Sequence, residues 1–544
     1  MEKEFGLANI VIKGFPTQGL ETLFQKNIVH LHRLAVQIVV GKLFVLNMKT
    51  SKAAPVLIPG NTIIYEINTW IWLRELSVKH KKKINLGNIP AKEIDDLAKE
   101  KFDAIWLMGV WKRSPAGLEI ARKHEVIMRE LHEALPDLKD EDIAGSAYCI
   151  KDYQVDPAIG GDKGLAKFRK ELAAKGMRLI LDFVPNHVAP DHPWTKSNPD
   201  YLIRGTEEEF SSRPDDFIHV GKNIYAKGKD PFYPPWPDVL QLNLFDDGLR
   251  AELQQTLIRI AGQCDGIRCD MAMLVMNDIF HRNWTDKAGK IPKVDFWKHV
   301  IPAVKKHNPQ FIFIAESYWD TEQALISQGF DFCYDKRFYD HLKEGASPSL
   351  DHLISVLPMQ AQLLRFLENH DEARAAGLFH TNRNKALAVA SLTLPGAVLV
   401  HEGQIEGRTV KVPVFLSRRK EEQHNQELKK FYLQLLKVLR FDAIRKGKWS
   451  LCELSGWSDN MSCMNLLAWE WVSDHENLMV VVNLSDQTVQ AHVKPGYAYR
   501  PGKTYQLFDV TSGELYRRDG EEMTHPGLYV VLQAWAMHVF SIEH

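Results

Sequence analysis

Residues 164–187 read Gly164-Leu165-Ala166-Lys167-Phe168-Arg169-Lys170-Glu171-Leu172-Ala173-Ala174-Lys175-Gly176-Met177-Arg178-Leu179-Ile180-Leu181-Asp182-Phe183-Val184-Pro185-Asn186-His187. Leu165, Phe168 and Leu172 fall three and four apart, one face of a helix, and Gly176 supplies a stop. Met177 to Asp182 then makes an apolar run of strand length that ends on a carboxylate. The same build recurs downstream. Gly266-Ile267-Arg268-Cys269-Asp270 ends on an aspartate, Phe311 to Ala315 runs into Glu316, and Leu363 to Leu367 runs into Glu368-Asn369-His370-Asp371. Strands that alternate with helices and finish on carboxylates are how a parallel barrel presents chemistry at the carboxyl ends of its strands.

Working outward, Ile63 to Asn68 reads as a first strand and Ala104 to Met108 as a second, with a short helix over Ile94 to Lys101 between them. After a helix near Leu249 to Gly262, strands at Gly266, Phe311, Phe330, Leu364 and Val398 complete a set of eight. The expected fold is α/β: a (β/α)8 TIM barrel over 63–447 with an irregular insertion after strand 3, and a C-terminal antiparallel β-sandwich domain. The insertion covers 188–245 and is rich in Pro, Asp, Gly and aromatics, as in Asp230-Pro231-Phe232-Tyr233-Pro234-Pro235-Trp236. Irregular segments of that length are usually functional. Residues 448–544 form the β domain, with short strands such as Leu478 to Leu484 and Leu528 to Leu532, and 1–62 form an N-terminal extension of unknown role.

Composition narrows the partners. Across 544 residues, Lys+Arg 68 against Asp+Glu 69 leaves a formal charge of -1, with no basic run to track a nucleic acid. The apolar stretch Leu34 to Leu46 is interrupted by Gln37 and Lys42 and falls short of the roughly 20 residues that span a bilayer. No secretory signal is read at the start, so a cytoplasmic protein is expected, with neither nucleic acid nor membrane as partner. The six cysteines show no metal-ligand spacing; buried free thiols are expected, with one bridge, Cys452 to Cys463, left open. Trp194, Phe232, Tyr233 and Trp236 either line a sugar cleft or pack a small subdomain. Trp70, Trp72 and Trp111, read as lying on loops after the first two strands, carry the same two readings.

Cleaving an acetal between sugars needs one group to protonate the departing oxygen and another to meet the charge at the anomeric carbon. Asp270 and Glu316 end adjacent strands, so they can meet at one sugar. Period-two alternation puts Arg268 beside Asp270, where its charge is expected to lower the aspartate's pKa. The apolar strand before Glu316 is expected to raise that of the glutamate, as a general acid requires.

Taken in order, the four segments resemble the four signature regions of the α-amylase family, glycoside hydrolase family thirteen. The resemblance implies Asp270 as nucleophile, Glu316 as acid/base and Asp371 as the third carboxylate. It also implies substrate contacts from Tyr148, Asp182, His187, Arg268, Asn369 and His370, with Tyr148 carried by Gly145-Ser146-Ala147-Tyr148. Many family members hold a calcium ion with an asparagine at the position of Asn186. The insertion shows no carboxylate cluster of that kind, so no cofactor and no metal are assigned, with Ca²⁺ as the one candidate.

The implied function is a retaining α-glycosidase acting on short α-glucans or maltooligosaccharides through a covalent glycosyl-enzyme. An α-glucan glycosyltransferase or an α-disaccharide isomerase of the same mechanism is the alternative, and a non-catalytic carbohydrate-binding member stands behind both. One departure bears on this choice. Starch-cleaving amylases commonly place Lys-His three and four residues after the nucleophile, where this chain has Met273 and Leu274. An apolar acceptor side is expected there, which favours short substrates or transfer to a sugar.

Overall fold

The computed structural model describes residues 61–543; the stretch 1–60, read above as part of an appendage, lies outside the described residues. Eight parallel strands close into a barrel. They are β1 (Ile63–Asn68), β2 (Ala104–Met108), β3 (Arg178–Phe183), β4 (Gly266–Cys269), β5 (Ile312–Ala315), β6 (Phe332–Tyr334), β7 (Leu363–Arg365) and β8 (Ala397–His401). Each pairs with its sequence neighbours, and β1 closes on β8 with Ile63 opposite Val398 and Glu66 opposite His401.

Side chains alternate across each strand, so near-continuous apolar runs supply two cores at once. Ile64, Trp106, Ile180, Ile312, Ile314, Phe332, Leu364 and Leu399 fill the barrel interior. Their neighbours Ile63, Ile105, Leu107, Leu179, Leu181, Ile267, Phe313 and Val398 face the surrounding helices. By the same alternation Gly266 and Arg268 point inward, which sets the floor of the site.

The helix of the opening stretch runs Gly161–Ala173, three residues earlier than its expected start, and buries Gly164, Leu165, Phe168 and Leu172. Gly176 follows it at φ +76, the left-handed position that glycine adopts at a helix stop. Sequence reading misplaced Trp70 and Trp72. Both lie on a helix, Thr69–Lys79, whose start is capped by Asn68 accepting from the Ile71 N–H at 3.4 Å. That helix has no clean apolar stripe, so periodicity gives it no signal. Trp111 sits on a short strand, Trp111–Arg113, paired with Ile150–Val155, in an excursion between β2 and β3 that the sequence did not announce. The insertion after β3 holds a hairpin, Phe217–Val220 with Asn223–Ala226, and returns along His187–Val188 paired with Leu240–Gln241.

Beyond the barrel come β9 (Lys448–Leu451), β10 (Glu453–Ser455), β11 (Leu466–Val472), β12 (Glu476–Asn483), β13 (Val489–Lys494), β14 (Thr504–Asp509), β15 (Leu515–Asp519), β16 (Leu528–Leu532) and β17 (Met537–Glu543). They form a six-stranded sheet, β9-β11-β12-β17-β14-β15, and a three-stranded sheet, β10-β13-β16. Leu466, Ala468, Met479, Val481, Phe540 and Ile542 face the smaller sheet across a shared core. Leu467, Trp469, Trp471, Leu478, Val480 and Val482, from the other face of the same strands, join the core around the barrel, where Trp471 Nε1 donates to Thr393 O at 2.8 Å. All six cysteines are free thiols, so the Cys452–Cys463 bridge left open above is not formed.

One glycine controls the approach to β8. Gly396 has φ +101, and a Cβ there would lie 2.1 Å from Leu363 O. Gly396→Ala is therefore expected to destabilise the fold by at least about 2 kcal/mol, because both the backbone conformation and the space are refused. A urea unfolding midpoint equal to that of the parent chain would contradict this.

Candidate active site

The carboxyl ends of β3, β4, β5 and β7 bring Asp182, Asp270, Glu316 and Asp371 around one guanidinium. Arg268 is buried, with Nη1 2.7 Å from Asp270 Oδ1 and Nη2 2.9 Å from Glu316 Oε1. It also lies 4.0 Å from Asp182 Oδ1 and 3.9 Å from Asp371 Oδ2. The guanidinium stacks against Trp106, Tyr148 and Tyr334, which hold its plane while carboxylates occupy its edge.

Glu316 is closely held. Its Oε1 accepts from Tyr318 Oη at 2.9 Å, and its Oε2 accepts from the Met271 N–H at 2.5 Å. Met271 reaches that position at φ 42, a left-handed conformation unusual for a side chain of its size. Burial pushes the Glu316 carboxyl up to about 7, against the opposing pull of Arg268. Asp270 corrects an expectation: Arg268 does favour its ionised form, but burial is the larger effect and the carboxyl moves up, not down. Asp182 is raised to about 7 by burial as well, and its Oδ2 accepts from the Gly109 N–H at 3.3 Å.

Asp371 differs from the other three, with 42% of its side chain exposed. His370 and Arg268 overcome its desolvation and hold it well below the usual carboxylate range. His370 Nε2 lies 2.9 Å from Asp371 Oδ2 and 2.8 Å from Tyr148 Oη, and the Tyr148 and His370 rings stack at 5.4 Å. His187 hydrogen-bonds the Tyr148 backbone, and burial lowers it to about 3, so it is neutral at pH 7.

Asn369 has a local structural role. Its Oδ1 accepts from the Asp371 and Glu372 N–H groups at 2.9 and 3.0 Å, so it shapes the loop that presents Asp371. The same loop is clamped by Glu368, which takes Arg374 Nη1 on one oxygen and the Ala375 N–H on the other, each at 2.7 Å.

Met273 and Leu274 also overturn an expectation. They are 0% and 1% exposed and belong to the core, so neither forms an apolar acceptor surface. Among the insertion aromatics, Trp236 packs on His187 at 5.0 Å and Trp194 packs on Tyr201. Phe232 and Tyr233 are exposed, and Phe232 meets Trp319 from the loop after β5 at 4.9 Å.

At Asn186, Gln241 Nε2 donates to the backbone oxygen at 2.9 Å and to Oδ1 at 3.0 Å. Among the described residues no three His, Cys, Asp or Glu side chains converge as metal ligands. One polar residue that sequence reasoning missed is Glu66 at the end of β1, which bonds His370 Nδ1. Nothing in Ile63-Ile64-Tyr65-Glu66-Ile67-Asn68 signals a partner 304 positions away.

The fold is a (β/α)8 barrel whose strand ends gather carboxylates on one arginine. Residues 91–329 match the family described as Alpha amylase, catalytic domain. Alpha-amylase MalA of Haloarcula japonica is 24% identical over 286 residues, 50% of this chain and 38% of that protein. An Alpha-1,4-glucan:maltose-1-phosphate maltosyltransferase 2 of Streptomyces coelicolor is 26% identical over 211 residues, 37% of this chain and 25% of that protein. The chain thus spans well under two thirds of the length of these curated relatives. In fold it is similar to a noncanonic maltogenic alpha-amylase AmyB from Thermotoga neapolitana, with TM-score 0.63 and 18% identity over 89% of this chain and 99% of that one.

Proposed function

We propose that the chain is a retaining α-glycosidase that cleaves α-glucosidic bonds of short α-glucans by double displacement. The observation that supports this most is the pairing of Asp270 and Glu316 on two nitrogens of the Arg268 guanidinium. Carboxyls held on one guanidinium can both reach a single sugar, as direct attack requires.

In the first step the glutamic acid gives its proton to the glycosidic oxygen. The Asp270 oxygen not bonded to Arg268 forms the new bond to the anomeric carbon as the old bond breaks. Arg268 and the Met271 N–H then stabilise the carboxylate left on Glu316. In the second step Glu316 takes a proton from water or a sugar hydroxyl, which displaces Asp270. Asp371, ionised and open to solvent, accepts hydrogen bonds from sugar hydroxyls and faces the developing positive charge.

Transfer to a sugar acceptor is the second reading. The sequence-based motive for it weakens because Met273 and Leu274 are core residues, while the match to a maltosyltransferase keeps it in view. Buried free thiols suit the reducing cytoplasm, which is part of the proposal. Among the described residues no helix is long and apolar enough to cross a membrane.

Proton NMR of maltooligosaccharide digests tests both readings. The first product released should be the α-anomer, and a first-formed β-anomer would exclude the retaining mechanism. Products longer than the substrate, increasing when an acceptor is supplied, would assign transfer over hydrolysis.

A further inference from the structure

Glu66 lies at the end of β1 with its side chain inside the barrel, 0% exposed. Its Oε1 meets His370 Nδ1, while Oε2 has no hydrogen-bond partner among the described residues. The other ring nitrogen of His370 faces Asp371 Oδ2 at 2.9 Å. Both imidazole nitrogens therefore point at carboxylate oxygens, which are acceptors only when ionised. A neutral imidazole would set its one lone pair against an oxygen lone pair on one side. A neutral ring could accept from Tyr148 Oη at Nε2, but it would then turn a lone pair toward Asp371; the doubly protonated ring donates to both carboxylates.

We infer that Glu66 is a positioning residue that keeps His370 an imidazolium, so that Nε2 stays a donor holding Asp371 where it faces the sugar. Without Glu66 the ring would turn neutral, and Asp371, which faces the positive charge developing on the sugar, would lose the Nε2–H donor that holds it.

The surrounding groups agree with this. Burial opposes charge on His370, but Asp371 and Glu66 together raise it to about 10. Glu66 is held below its ordinary value despite its own burial, with His370 the main cause. His401, opposite Glu66 on β8, is pushed well below its ordinary value by burial and Arg374, so it stays neutral and does not compete. Arg268 adds positive charge on the far side of Asp371, and Asp182 and Asp270 add negative charge around it. Tyr148 shares the Nε2 contact, and Trp106 meets the ring edge at 5.5 Å, contributing no charge. The effect on turnover rests on the glycosidase reading, whereas the protonation of His370 does not.

Glu66→Gln tests the inference, because the amide oxygen can still accept from Nδ1–H while the charge is lost. In the full chain labelled with ¹⁵N-histidine, and with the His370 signals identified by their loss in His370→Gln, the parent ring should remain doubly protonated at pH 8. In Glu66→Gln it should titrate to the neutral form below that pH. Turnover should fall roughly 10- to 100-fold with little change in KM. A purely structural role would leave the titration unmoved. A parent His370 that is neutral at pH 8 overturns the inference even if the Gln variant fails to fold. So does a variant whose ring stays doubly protonated at pH 8. If no substrate is turned over, the glycosidase reading fails while the titration still decides the role of Glu66.

Discussion

Asp270→Asn should fold as the parent chain does and lose turnover by roughly 10⁴-fold or more, the scale of loss when a group that forms the covalent intermediate is removed. The amide keeps a hydrogen-bonding group near Arg268, which lies 2.7 Å from Asp270 in the parent, so the pocket should hold its shape. Substrate binding should survive, because the sugar contacts assigned to His187, Tyr148 and Asp371 come from other strands and loops. Initial rates on a maltooligosaccharide, with circular dichroism as the folding check, measure the effect. Turnover within tenfold of the parent in a folded variant would remove Asp270 from the mechanism.

Glu316→Gln should cut turnover by about 10²- to 10⁴-fold, as expected for loss of a general acid. The loss should be far smaller on an α-glucosyl substrate whose leaving group needs no protonation. The parent's pH dependence follows from the same group: activity should fall as pH rises through about 7, where the Glu316 proton is lost.

The variant should also be more stable than the parent at pH 8. The Glu316 carboxyl is raised from 4.5 to about 7 on folding, so its proton contributes stability that is fully present below about pH 4.5 and lost as pH rises through 7. The glutamine cannot ionise and escapes that loss, which amounts to on the order of 1 to 3 kcal/mol. Unfolding curves for the two proteins should converge near pH 4 and separate by pH 8. Equal stability at pH 8 would mean that burial does not strain this carboxyl.

Much of the site was legible because its chemistry sits at strand ends. Asp270, Glu316 and Asp371 each follow an apolar run, and the alternation within β4 was enough to place Arg268 beside Asp270. What sequence hid has physical causes. The pKa of Asp270 depends on how much water the closed barrel excludes, a property of many strands at once. Met273 and Leu274 were misread because counting positions from Asp270 assumes a continuing course of chain. Met271 turns left-handed at φ 42 and starts a 3-10 turn that drives both residues into the core. Glu66 looks like one polar residue in an alternating strand, and only closure of β1 on β8, which pairs in turn with β7, carries it under His370. Trp70 and Trp72 were missed as helical because their helix lacks the one-sided apolar pattern that a sequence can show.

The six-stranded sheet behind the barrel presses apolar side chains in both directions, Leu467, Trp469 and Trp471 one way and Leu466 and Ala468 the other. It is thus a wall common to two rooms. The C-terminal fifth of the described chain cannot be trimmed off as an accessory module, since its removal would strip the outer helices of the cover that Trp469 and Trp471 give them. Thermal melting of residues 61–543 should accordingly proceed in a single step, with the barrel and its backing sheet lost together.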